Sequence, residues 1–412
     1  MKQHEIHLRK EKYIICIIIY YIVILGNIIQ PIIPLYNLYD ELVAIFLLIF
    51  YAKNFKFLSK NDKWTLYPIL IMLFEGFLCT LINRIQTDIV LIIKDCILYS
   101  KFFIGITLAK FLFPYLNKDI LVKSVQKPTK FLITIIFICS IINLIIDIHM
   151  GGEIRNGFRS FQFLYGHYTY LVASMVIMMS ITLYKNNFFN KYNLFGCFIL
   201  LTTLRSKAII FVLVYIIIGI CRKYSIKLKL RSYILMAITS LWIMSDKISD
   251  YISWGVYNLR TGLYVVGFLI AMNHFPLGTG FCTFGSNLSF LERSPLYAEY
   301  GLNNSQAMGD NQEGAFISDT FWPYIYGQWG IIGLILYVTS IIFIFKSLKQ
   351  YENNENYYYP SLLLILYLLI GSFAEATFTN ETGIFTALII NIFFYNSNDT
   401  KQNNLCRHVR HS

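Results

Sequence analysis

Charge is scarce in this chain. Only 14% of its 412 residues are Asp, Glu, Lys or Arg, and the acids are scarcer still, 23 against 35 bases. A soluble globular protein carries roughly a quarter, so a surface exposed to water all round is excluded. Proline is sparse as well, with nine residues and no Pro-rich linker. No internal repeat is visible, and repeats are common in secondary transporters. Eight cysteines are present, but seven of them (Cys16, Cys79, Cys96, Cys139, Cys197, Cys221 and Cys406) fall in apolar runs or lysine-rich segments, leaving Cys282 alone outside. A disulfide framework on an oxidising face is therefore excluded.

What fills the chain is apolar sequence, 56% of it, with a mean hydropathy of +0.55. Continuous Ile/Leu/Phe runs near 20 residues recur, about the length a bilayer span requires, whereas barrel strands would be short and alternating. The expected fold class is an all-α polytopic membrane protein of about twelve transmembrane helices. The expected spans are 13–33, 38–52, 64–82, 88–113, 131–148, 164–184, 193–204, 208–221, 232–246, 321–345, 359–374 and 383–395. Residues 1–412 then form one membrane domain, with a large external loop at 247–320. The first span is too long for a signal-peptide core and lacks a small-residue cleavage site, so it is expected to stay as an anchor.

Alternating these spans places 24 of the 35 basic residues on one side, and the positive-inside rule makes that side the cytoplasm, with both termini there. The net charge of +12 is accounted for by this topology, and no nucleic-acid partner is needed. Eight bases remain outside: Arg84, Arg155, Arg159, Arg205, Lys207, Lys247, Arg260 and Arg293. Six of these eight are Arg, against five of the 24 inside, and topology alone would be served by Lys. A guanidinium offers a planar fork of donors that grips phosphate at two points. The excess thus points to a bound anion, against the plainer reading of pairing with loop acids such as Glu153, Glu292 and Glu299. Arg205 lies between two short apolar segments, where a cation is expensive and usually functional, unless it merely snorkels to the headgroups. Arg159 precedes the sixth span. Arg260 precedes an expected amphipathic stretch, Leu263–Met272.

Within the apolar runs, Lys94 and Lys101 are seven apart and are expected to share a helix face. Glu75 or Asp95 is expected to pair with a Lys, and an ion path is the less economical reading. The external loop holds Gly278 and Gly280 with no Gly-Lys-Ser/Thr beside them, so a tight turn is expected and a nucleotide site is not. Aromatics crowd the loop and the span after it: Phe281, Phe284, Phe290, Tyr297, Tyr300, Phe316, Phe321, Trp322, Tyr324 and Tyr326. They fit sugar stacking or an interfacial belt.

Three features in order carry a resemblance. Thr203-Leu204-Arg205-Ser206-Lys207 opens one span. Pro276-Leu277-Gly278-Thr279-Gly280-Phe281-Cys282-Thr283-Phe284-Gly285 follows in the loop, and Gly330-Ile331-Ile332-Gly333 opens another span. Over residues 150–345 this resembles the O-antigen polymerase and ligase superfamily of GT-C-type membrane glycosyltransferases, with a layout most like the Wzy-type O-antigen or capsular polysaccharide polymerases. The resemblance implies block transfer between undecaprenyl-diphosphate-linked glycans, donor and acceptor, on the outer face of the cytoplasmic (inner) membrane. It implies no metal and no cofactor, and as partners membrane lipids, a chain-length regulator and a flippase. Arg205 and Arg260 match the family's arginine positions, with Arg159 third; these three would bind the diphosphate. The ligases place a His base eleven residues before the first glycine of the Gly-x-x-Gly pair. Here that position is Asp319, which a helix N-cap would equally explain. Asp310, Glu313 and His274 are rival bases or substrate contacts in the same loop. Ligation to lipid core or protein, and flipping or transport of lipid-linked sugars, are the alternative functions.

Overall fold

The computed structural model describes residues 2–30, 38–155, 157–226, 258–304 and 320–395, and singly 249, 253 and 255, with side chains from Lys10 onward. Helices dominate, and polar residues set just ahead of apolar runs start them. Asp88 accepts a hydrogen bond from Val90 N at 2.7 Å and opens α4, Ile89–Leu108. Asn190 accepts from the amides of Tyr192 and Asn193, both at 3.1 Å, and opens α7, Lys191–Thr202. Ser59 caps α3, Lys60–Asn83, through Asp62 N at 3.1 Å. Each cap satisfies amides that the first turn leaves without partners.

The remaining helices of the bundle are α1 (Lys2–Ile29), α2 (Tyr39–Tyr51), α5 (Lys118–Ile145), α6 (Tyr168–Leu183) and α8 (Ser206–Lys223). After them come α9 (Leu259–Asn273), two short helices α10 (Asn287–Leu291) and α11 (Pro295–Glu299), α12 (Trp322–Lys349), α13 (Glu355–Gly371) and α14 (Glu381–Ile389). Eleven of the twelve expected apolar runs coincide with helices, and 232–246 lies outside the described residues. Among the described residues, four helices are long and apolar enough to cross a membrane: Lys10–Ile29 of α1, α3, α5 and α12. This is fewer than the twelve spans expected. Twelve residues, as in α7, rise about 18 Å, well short of a hydrocarbon core of about 30 Å.

The most extensive helix–helix contact joins α3 to α12, with α4 and α9 beside them. Gly76 makes it possible, because a Cβ there would lie 2.2 Å from the Trp329 ring. Midway along α12, Gly330 takes φ +62° and ψ −163°, which breaks the helix. The Gly330–Gly333 pair therefore sits at an internal kink and does not open a span. Segment 276–285 threads into this kink. A Cβ on Gly330 would lie 2.2 Å from the Leu277 carbonyl oxygen, and Gly280 N donates to the Gln328 carbonyl at 2.9 Å.

Asp95, wholly buried on α4, ties that segment down. It accepts from Cys282 N at 2.7 Å, from Gln328 Nε2 at 2.8 Å and from the Tyr324 hydroxyl. Gln328 Oε1 in turn accepts from Thr283 N and Phe284 N, at 2.9 and 3.0 Å. The expectation that Asp95 or Glu75 pairs with a lysine is thus corrected: Asp95 serves backbone and amide donors, and the Glu75 carboxylate has no partner among the described residues. Lys101 pairs instead with Asp40 and with Glu41 (3.2 Å) from α2. Lys94, expected on the same face, is exposed. Lys110 pairs with Asp62 at 2.7 Å.

The 247–320 stretch contributes α9, whose main packing partner is α12. Leu263, Val266 and Ile270 are buried, while Val265, Phe268, Leu269 and Met272 are exposed, so both faces are apolar. The expected amphipathic helix is accordingly corrected to one that is apolar all round, the pattern of a helix surrounded by other apolar matter.

Candidate functional site

Between α5 and α6 the chain forms a hairpin, β1 (Ile154–Arg155) and β2 (Phe158–Arg159), with Ile154 opposite Arg159 and Arg155 opposite Phe158. Gly157, at φ +79°, makes the turn. Backbone bonds fasten this hairpin to its surroundings: Ser160 N donates to the Glu153 carbonyl at 2.9 Å, and Phe161 N to that of Thr202 at 2.9 Å. The second of these sets the hairpin against the α7–α8 turn, where Arg205 stands. From the first turn of α6, the Tyr168 hydroxyl accepts from the amides of Gly152 and Glu153, at 3.1 and 3.2 Å.

Arg205 occupies the N-cap position of α8. Its guanidinium lies over the Tyr168 ring, 4.1 Å from the centroid, and Nη2 donates to both carboxylate oxygens of Glu153, at 3.2 and 3.3 Å. Arg205 Nε is buried without a hydrogen-bond partner among the described residues. Arg155 Nε reaches the same carboxylate at 2.8 Å. Although partial burial works in the opposite direction, Arg205 and Arg155 together hold the Glu153 carboxyl below its ordinary pKa. Two arginines thus share one acid at the start of a helix, where the unpaired amides and the dipole also favour negative charge.

Arg159 is near but differently employed. Its Nη1 donates to the Asn143 carbonyl at 3.3 Å, in the last turn of α5, and its Nη2 lies 3.6 Å from Asp147. A cation at a helix C-terminus is a stabilising arrangement. Lys207, two residues beyond Arg205, forms an ion pair with Glu375 from the α13–α14 connection, and both side chains are largely buried.

Arg260 is carried by another helix. It stands in the first turn of α9, which Asn258 caps through Arg260 N at 3.0 Å, and α9 packs chiefly on α12. Of the three arginines expected to converge, Arg205 binds Glu153 together with Arg155, Arg159 turns to Asn143 and Asp147, and Arg260 stands on α9. His274 caps the far end of α9, its amide donating to the Ile270 carbonyl at 3.0 Å. Asp319, Glu313 and Asp310 lie outside the described residues. The N-cap position of α12 is Phe321.

Of the loop aromatics, Phe281, Phe284, Tyr297, Phe321 and Tyr324 are buried, and they pack against neighbouring helices and one another. Their rings are not presented to a sugar. Phe316 lies outside the described residues. Reading the sequence missed Tyr168 and Glu375. The available signal for Glu375 was an acid in a polar stretch between two apolar runs, on the same expected side as Lys207. Nothing local marked Tyr168 among 31 tyrosines. No family model matches this chain, and neither does any curated protein or solved structure.

Proposed function

We propose that this chain is a metal-independent membrane glycosyltransferase that polymerises undecaprenyl-diphosphate-linked repeat units into O antigen or capsular polysaccharide. The observation that carries the reading is the grip of Arg205 and Arg155 on the Glu153 carboxylate beside the start of α8. A carboxylate and a phosphate present the same pair of oxygens to a guanidinium fork. The Glu153 side chain is about half exposed (49%), so a diphosphate entering from solvent or from the headgroup layer would take its place. In this reading about twelve helices cross the cytoplasmic membrane, both termini are cytoplasmic, and the hairpin faces outward.

The step transfers the growing glycan from its lipid diphosphate to the hydroxyl of a single lipid-linked repeat. The acceptor oxygen bonds to the anomeric carbon, and its proton passes to a carboxylate base. The bond from that carbon to the diphosphate oxygen breaks, and the electron pair leaves with the diphosphate. Arg205 and Arg155 meet the charge that develops there, and cations fixed in place need no reorganisation when it appears. Asp319 is the base that the resemblance nominates. Glu375, held by Lys207 two residues from Arg205, is the carboxylate that the described residues add.

Glycan size in a deletion strain tests the reading. Wild type should restore a ladder of lengths, and Arg205→Lys should leave single repeats. Long polymer that accumulates unattached in the deletion strain would exclude polymerase in favour of ligase, and repeat units retained on the cytoplasmic side would indicate a flippase.

A further inference from the structure

At the lysine-rich end of the bundle, away from the hairpin, a cavity of about 510 Å³ opens between the α6–α7 connection, the end of α8 and the start of α13. Its size falls in the range of small-molecule sites. Two cations, Arg222 and Lys223, line it against one carboxylate, Glu355. Arg222 contacts that carboxylate and lies 6.0 Å from the centroid of the Tyr359 ring. Asn187 and Asn356 also line it, as does Asn186, whose amide is already taken by the Thr182 carbonyl at 2.8 Å.

Exposed apolar side chains accompany these groups: Phe189, part of the lining, at 36%, and Ile220 and Tyr224, next in sequence to the lining residues Gly219 and Lys223, at 42% and 64%. A soluble anion would have no use for them. An amphiphile would use both parts, with a charged head among Arg222, Lys223 and the amides and its chains along the exposed apolar side chains.

We propose that this cavity binds the headgroup of an anionic phospholipid of the cytoplasmic leaflet. Basic pockets between membrane helices on that side are suited to such heads, each nearby Lys or Arg adding attraction. Arg222 is poised for it, because a phosphate can share or replace the contact now made by Glu355. The position also fits, since Lys185, Lys191, Lys346 and Lys349 stand at the same ends of α6, α7 and α12. The inference requires the membrane reading but not the polymerase reading, and its test involves no glycan.

Short-chain phosphatidylglycerol and phosphatidylcholine are titrated separately into the purified full-length protein in an uncharged detergent, with thermal unfolding as the readout. Glycerol 3-phosphate, the same head without chains, is the third titrant. Wild type should be stabilised by phosphatidylglycerol alone. Arg222→Gln/Lys223→Gln should bind it roughly tenfold more weakly or worse, and Lys346→Gln/Lys349→Gln, outside the cavity, should bind as wild type. Asn187→Leu, which keeps both cations, is the second variant should the double one fail to fold, and it too should bind more weakly. Equal stabilisation by both lipids, or an undiminished response in the cavity variants, would overturn the proposal. So would a full response to glycerol 3-phosphate, which would make the ligand a free phosphate.

Discussion

The guanidinium of Arg205 rests 4.1 Å from the ring centroid of Tyr168 while the hydroxyl of that same ring holds the backbone of Glu153, the acid that Arg205 binds. One tyrosine therefore positions both halves of an ion pair. Its ring orients the cation, and its oxygen orients the anion.

That double role separates two substitutions. Tyr168→Phe keeps the ring and releases the hairpin, while Tyr168→Leu loses both. In the complemented deletion strain, polymer should be reduced by Tyr168→Phe and lost in Tyr168→Leu. Arg205→Lys loses the fork and the stacking together, which at about 1–3 kcal/mol corresponds to roughly a five- to 150-fold fall in rate. Arg155, more exposed than Arg205, should tolerate Lys with a smaller loss. Equal effects at Arg155 and Arg205 would undo the assignment of Arg205 as the principal grip.

The hairpin should loosen in acid. Glu153 has a pKa below its ordinary value of 4.5 when folded, so it binds fewer protons folded than unfolded. Its contribution is then fully present above about 4.5 and is lost as pH falls through the lower, folded value. Protection factors for amide exchange across 151–161, taken relative to the intrinsic rate at each pH, should hold from pH 7 down to about 4.5 and fall only below it. Glu153→Gln should exchange faster throughout and show no such step.

Lys101 is wholly enclosed and serves two acids. Replacing it with Met leaves Asp40 with an uncompensated buried charge, which costs about 3–5 kcal/mol. A thermal melt in detergent should register the loss. Asp40→Asn in the same chain should recover part of it, and a melt no better for the pair than for Lys101→Met alone would contradict the arrangement.

Cys282 reports on the anchoring of the glycine-rich segment. It is 1% exposed, and its amide is tied to Asp95. Asp95→Ala leaves Cys282 N and the Tyr324 hydroxyl without this acceptor, at about 1–3 kcal/mol each, and Gln328 Nε2 with only the Tyr99 hydroxyl at 3.3 Å. A membrane-permeant maleimide, followed by peptide mapping, should leave Cys282 unlabelled in wild type and label it in Asp95→Ala.

Much of the helical plan was legible because it rests on apolar run length, which is local. The α4, α7 and α9 starts at Asp88, Asn190 and Asn258 were legible in kind as well, since a polar cap ahead of an apolar run is a local device. Partner choice was not. Asp95 lies six residues from Lys101, yet each finds its partners on other helices, and spacing along one helix says nothing about which neighbour arrives. The candidate site divides in the same way. Arg205 stood out because a cation between two apolar segments is costly, and Glu153 was among the acids foreseen as partners. The packing of α9, which carries Arg260, against α12 is not encoded by any pattern in its own fifteen residues.

The Asp95 anchor has a consequence for biogenesis. Its partners Cys282 and Gln328 lie 187 and 233 residues further along the chain. At about 5–20 residues per second, a ribosome needs roughly ten seconds to most of a minute to deliver the second of them. Until Cys282 is made, late in that interval, α4 carries a carboxylate with none of these donors, inside a bundle already half made. The early helices must therefore wait in the insertion machinery, or shield Asp95 among themselves, until the last third of the chain arrives to close the structure.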